Sequence, residues 1–141
     1  MQRIVVDKDF TLPPERVFAY LAEHEHLEAL FGAKVVRLND GTDGTRNGVG
    51  SARSLKVGPL PPFTETVTEV VPNELIRYRI TQGSVLRDHE GTMRITAAGA
   101  GGSHLHYEIV FRGVVPGLGL LIAPGLKRNI EKGLRTVEGA A

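Results

Sequence analysis

The hydrophobic pattern of this chain changes period along its length, and that change limits its fold more than any single motif does. Between residues 34 and 112, short runs rich in apolar and β-branched residues alternate with a period of two, at 34–39, 49–57, 63–71, 75–82, 88–97 and 104–112. This is the pattern of half-buried strands. The separators DGTDGTRNG, GPLPP, PN, GSVL and AGAGG supply the glycine, proline, asparagine and aspartate that turns require. Beyond them Leu118, Ile122, Leu126, Ile130, Leu134 and Val137 follow helical steps, while Lys127, Arg128, Glu131, Lys132, Arg135 and Glu138 take the opposite face. The spacing predicts a long amphipathic helix interrupted at Pro124-Gly125. A kink is expected there, because the proline cannot donate to the Leu120 carbonyl and its ring crowds that group.

Upstream, Ile4, Val6, Phe10 and Leu12 share one side of a first strand until Pro13 and Pro14 stop it. Proline at the start of a helix and Glu15 in its first turn then favour a helical segment. Val17, Phe18, Leu21, Leu27, Leu30 and Phe31 predict two short helices bent near His24 to His26 and ended by Gly32. The expected order is one strand, two short helices, six strands and one long helix. This is an α+β fold, with a curved antiparallel seven-stranded sheet wrapped around the last helix. With 141 residues the chain has material for one core, so a single domain over 1–141 is expected.

The 17 Lys and Arg nearly balance 16 Asp and Glu, giving a net charge of +1 and no field to hold a polyanion, so no nucleic-acid partner is expected. The chain has no cysteine, which removes disulfides, thiolate nucleophiles and cysteine-based zinc sites. The apolar run Ile4 to Val6 is too short for a signal-peptide core, and cytoplasmic localisation is the expectation. GVVPGLGLLIAPGL, between Arg112 and Lys127, falls short of the ~18 to 20 residues of a spanning helix. It reads as core or cavity wall, with no stable membrane insertion.

Several segments together carry a family likeness. They are PPERVFAYLAEHEHL at the short helices, GVGSARSL on one strand, TETVTEVVPNELIRYRI across a hairpin, and GGSHLHYEIVFRG ahead of a long helix led by Pro-Gly. In this order they resemble the START-related helix-grip superfamily, and within it the polyketide cyclase/dehydrase-like family. The likeness spans nearly the whole chain. The sequence departs from it in lacking tryptophan, with Leu30 and Phe31 where members often carry one. The resemblance implies a helix-grip fold that holds a small hydrophobic molecule, such as a lipid, quinone or polyketide, between sheet and helix. It also implies two alternatives: a polyketide cyclase or dehydratase, or an interaction module that regulates a larger partner. It transfers no fixed catalytic set, and no cofactor is expected.

On the last strand, Leu105, Tyr107, Ile109 and Phe111 are expected to face inward, and His104, His106, Glu108 and Arg112 outward. The outward His-x-His-x-Glu row is read as a polar sheet exterior, not as a metal site, because three collinear side chains span more than one ion accommodates easily. AEHEHLE lacks the four-residue histidine spacing of a zincin helix and is read as a solvated bend. Glycines 48 and 50, and 117 and 119, lack the third glycine of a dinucleotide loop.

Arg53, Glu65, Tyr78 and His89 are different, since each shares the parity of apolar neighbours and so falls on a face suited to line a cavity. A desolvated carboxylate beside a guanidinium could supply an acid, a base and an oxyanion partner, or form a self-satisfied ion pair. As catalytic candidates, Glu65 or His89 would move a proton while Arg53 or Tyr78 polarises a carbonyl. Phe10, Leu55, Tyr78, Met93, Tyr107, Leu118 and Ile122 are the expected cavity wall. The hairpin register stays open: a two-residue Pro72-Asn73 turn puts Glu65 and Tyr78 on one face, and one more turn residue separates them.

Overall fold

The computed structural model describes residues 1–140; Ala141, the last residue of the expected domain, lies outside them. Strand β1 (Gln2–Phe10) leads to helix α1 (Pro14–Ala22), a 3-10 turn at His24–His26 and helix α2 (Leu27–Phe31). Strands β2 (Lys34–Asn39), β3 (Ala52–Lys56), β4 (Phe63–Val71), β5 (Leu75–Gln82), β6 (Leu86–Ala97) and β7 (Ser103–Gly113) follow, and then helices α3 (Leu118–Leu134) and α4 (Val137–Ala140). All strands join one antiparallel sheet in the order β1-β7-β6-β5-β4-β3-β2. The architecture is the expected α+β helix grip.

Local chemistry accounts for the element ends. Pro14 occupies the first turn of α1, and Gly32 ends α2 at φ +63°, a left-handed conformation that costs glycine little. Arg37 on β2 ties the 3-10 turn to the sheet through Glu23 at 2.7 Å and Glu25 at 3.0 Å. Strand β3 begins at Ala52 and not at 49, because residues 40–51 close into a loop in which Thr42 N–H donates to the Val49 carbonyl at 2.9 Å. Val49 is consequently exposed.

Ile130 and Leu134 of α3 are buried with Val17, Leu21, Leu27 and Leu30 from the short helices. Gly133 permits this approach, since a Cβ there would lie 2.5 Å from Leu30 Cα. The last helix differs from expectation at both ends. It runs as one element from Leu118 to Leu134 with Pro124 inside it, and Val137 belongs to the separate α4. At its start Leu120 and Leu121 are 68% and 80% exposed, so much of the uncharged stretch points outward.

A β-bulge in β4 decides that two of the candidates share the concave face. The β4–β5 turn has three residues between the paired Val71 and Leu75, the arrangement expected to separate Glu65 from Tyr78. They nevertheless share a face. The register slips by one between Val67 and Glu69, so Val67 pairs with Tyr78 and Glu65 with Ile80; the extra residue in the strand cancels the extra residue in the turn. Another slip lies between Arg87 and Glu90 of β6, where Asp88 has φ +51°. His89 lies beyond it on the parity of Gly91, Met93 and Ile95, all buried, so plain alternation turns it inward.

Candidate functional site

Between the sheet and α3 lies a cavity of about 470 Å³, within the size range of small-molecule sites. Leu55 of β3 with Val57 just past its end, Phe63 of β4, Ile80 of β5 and Ile109 of β7 form its sheet wall, and Phe31, Ile122 and Leu126 close the helical side. Leu60 to Pro62 and Gly83 to Val85 contribute from two loops. The polar groups on this wall are few, chiefly Glu65, Tyr78, His89 and Asn129.

Arg53 and Glu65 pair directly across β3 and β4. The guanidinium Nε donates to Glu65 Oε1 at 2.9 Å, Nη2 lies 2.8 Å from the same oxygen, and both residues are at least 95% buried. Only Glu65 of the two lines the cavity. Arg53 sits behind it, with its guanidinium carbon 4.8 Å from the centre of the Tyr78 ring, a contact that favours a cation over an aromatic face. The structure thus brings all four candidates together, but with Arg53 withdrawn.

Tyr78 reaches across the sheet because residue 91 is glycine: a Cβ there would overlap the Tyr78 ring. Its hydroxyl is hydrogen-bonded to that of Tyr107, and both are fully buried. Burial pushes both phenols well up from their ordinary range, so neither ionises easily. His89 Nδ1 accepts from Ile80 N–H at 3.1 Å, which leaves the ring proton on Nε2. Burial, with Arg53 adding to it, lowers the His89 pKa against the opposing pull of Glu65.

Of the expected wall residues, Leu55, Tyr78 and Ile122 line the cavity. Phe10, Met93 and Tyr107 are buried in the core, and Leu118 packs near Gly113; none of the four lines it. Alternation assigns a face of the sheet and not a depth along the strand, and α1 packs over β6 and β7 at the filled end. The same parity would have added Val57, Phe63, Ile80 and Ile109. The loop residues from Leu60 to Pro62 carry no periodic signal, and Gly91 gives none of its role.

The other histidines occupy two different settings. His24 is not on a solvated bend but fully buried, its Nε2 3.1 Å from Ser51 Oγ. Because Ser51 Oγ donates to the Gly48 carbonyl at 2.7 Å, His24 Nε2 is the donor in that contact. Burial, and then Arg53, hold its pKa down to about 3. On the sheet exterior, His104 places Nδ1 2.6 Å from Asp9 and Nε2 2.9 Å from Asp7, and His106 Nδ1 is 2.8 Å from the same Asp7 oxygen. Both ring nitrogens of His104 therefore face carboxylates, first Asp9 and then Asp7, which raise its pKa.

The sequence matches the polyketide cyclase/dehydrase and lipid transport family over residues 1–141. Comparison with curated proteins gives no match. Among solved structures, the fold resembles a START superfamily protein from Mycobacterium smegmatis, with TM-score 0.78 and 17% identity, covering 98% of this chain and 95% of that one. A protein from Thermus thermophilus gives 0.76 and 18% over the same shares. The Aha1 dimer from Colwellia psychrerythraea gives 0.71 and 10%, covering 98% and 97%. At these identities the likeness is one of fold.

Proposed function

Because this chain belongs to the polyketide cyclase/dehydrase and lipid transport family, we propose that it binds a small hydrophobic molecule in the cavity between the sheet and α3. The observation that carries this reading is the cavity itself, about 470 Å³ with walls that are apolar apart from Ser84, Asn129 and a cluster of Glu65, Tyr78 and His89. Apolar walls provide affinity, while a few fixed polar groups orient what is bound. Phe31, Leu55, Tyr78, Ile80, Ile109 and Ile122 are the proposed contacts. Native mass spectrometry of the purified protein, followed by solvent extraction, tests it. A co-purified apolar molecule in stoichiometric amount is expected, and a protein that neither retains nor takes up apolar molecules would refute the reading.

A second reading is favoured by Glu65 and His89 standing on the same cavity wall. In it the protein catalyses an aldol-type cyclisation or dehydration, with Glu65 as the base that removes a proton next to a carbonyl. His89 Nε2–H would then donate to the developing enolate oxygen. Arg53, one layer back, would act on Glu65 and not on substrate, and the Tyr78 hydroxyl is already engaged by Tyr107. Turnover of a poly-β-ketone by the protein and its loss in Glu65→Gln are the expected results; unchanged turnover in that variant would remove Glu65 as base.

A further inference from the structure

The polar end of the cavity has an asymmetry that bears on which hydrophobic molecule fits. Arg53 places Nε and Nη2 against one oxygen, Glu65 Oε1, and does not itself line the cavity. Glu65 Oε2 takes no hydrogen bond from any protein group among the described residues. Nor is it sealed in the core, since His24 Nδ1 is the one fully buried side-chain polar atom without a partner among those residues. The same reasoning applies to His89 Nε2, whose ring is fixed by the Ile80 N–H at Nδ1. Two unpartnered polar atoms with fixed roles therefore remain, an anionic acceptor on β4 and a neutral donor on β6, flanking Ile80 of β5.

We propose that this end selects a neutral ligand bearing a hydroxyl that donates to Glu65 Oε2, with His89 Nε2–H donating to an oxygen of the same ligand, and that it rejects the carboxylate of the same skeleton. This rests on the cavity being a ligand site. A ligand carboxylate would meet the carboxylate of Glu65 in a poorly solvated space, where like charges repel far more strongly than in water. The Arg53 cation stands behind Glu65 and does not line the cavity, so a ligand carboxylate meets Glu65 and not the guanidinium. A hydrocarbon would leave Oε2 and Nε2–H buried and unsatisfied, which is also unfavourable. A hydroxyl satisfies the acceptor and leaves an oxygen lone pair for a donor. The lowered pKa of His89 keeps its ring neutral, so no second cation is at hand to welcome an anion.

Isothermal titration calorimetry at pH 7 tests this with two skeletons of different shape, a naphthalene and a ten-carbon chain. Each is offered as the alcohol or phenol, as the carboxylate and as the parent hydrocarbon. The alcohol form is expected to bind at least tenfold more tightly than the carboxylate on whichever skeleton fits. In Glu65→Gln, which keeps the side-chain volume and an acceptor for Arg53, that ratio is expected to fall by at least fivefold while the hydrocarbon affinity changes little. Carboxylate binding equal to or tighter than alcohol binding in the native protein would overturn the selectivity and leave the cavity reading standing. Failure of all six compounds would overturn the cavity reading, and the selectivity with it. The native-protein ratios decide the matter even if the variant does not fold.

Discussion

Replacing Glu65 by leucine removes the one anion paired with the Arg53 guanidinium among the described residues and leaves a cation that is 2% exposed. Breaking a buried pair from one side costs about 3–5 kcal/mol, because the surviving charge keeps its desolvation penalty and loses its partner. Arg53 keeps its position over the Tyr78 ring at 4.8 Å, a contact worth up to about 2 kcal/mol when dry, so the lower end, ~3 kcal/mol, is expected. For 141 residues the unfolding entropy near the midpoint is about 0.3 kcal/mol/K, and ~3 kcal/mol then lowers Tm by about 10 °C. The double variant Arg53→Met/Glu65→Leu removes both charges and fills similar volume, and should lie within about 1 kcal/mol of the native protein. Urea melts of the native protein, both single variants and the double variant close the cycle, with a coupling of at least ~2 kcal/mol expected. A loss below about 1 kcal/mol in Glu65→Leu would refute the reasoning, since it would mean that Arg53 finds water through the cavity.

Three further outcomes follow from the geometry. Gly133→Ala puts a Cβ 2.5 Å from Leu30 Cα, and the overpacking should destabilise by about 1–3 kcal/mol in chemical denaturation despite alanine's better helix propensity. Gly91→Ala should displace the Tyr78 ring from its contact with the Tyr107 hydroxyl and change the near-ultraviolet circular dichroism of the tyrosines; an unchanged spectrum would contradict the close approach. His24, held down to about 3 from 6.5, takes a proton in the unfolded chain well before it does so in the folded one. Stability should therefore fall as pH drops from about 6.5 toward 3, by up to ~1.4 kcal/mol per pH unit. His24→Gln should flatten that slope relative to the native protein, in which His89 adds the same sign and His104, with its raised pKa, the opposite one. An NMR titration of His24 with a midpoint near 6 would contradict it.

Much of this was legible in the sequence because burial follows period. Alternation on the last strand puts Leu105, Tyr107, Ile109 and Phe111 in the core, and the four-residue steps put Ile130 and Leu134 under the sheet. Parity also picked out Arg53, Glu65, Tyr78 and His89. Two kinds of fact were not legible. One is the bulges, such as those near Thr68 and Asp88, since an inserted residue has no side-chain signature and only pairing reveals it. The other is depth: Met93 and Ile80 both face inward, yet only Ile80 reaches the cavity, because what closes each end of the sheet comes from distant helices. His24 illustrates the same limit, since a histidine among glutamates looks solvated until the 40–51 loop brings Ser51 over it.

Where an apolar molecule sits is reported by methyl-resolved NMR of the protein titrated with a naphthol or a ten-carbon alcohol. Saturable shifts and intermolecular contacts are expected at Leu55, Ile80, Ile109, Ile122 and Leu126, which line the cavity. Shifts confined to the exposed Val115, Leu120 and Leu121, with the cavity methyls unmoved, would contradict it.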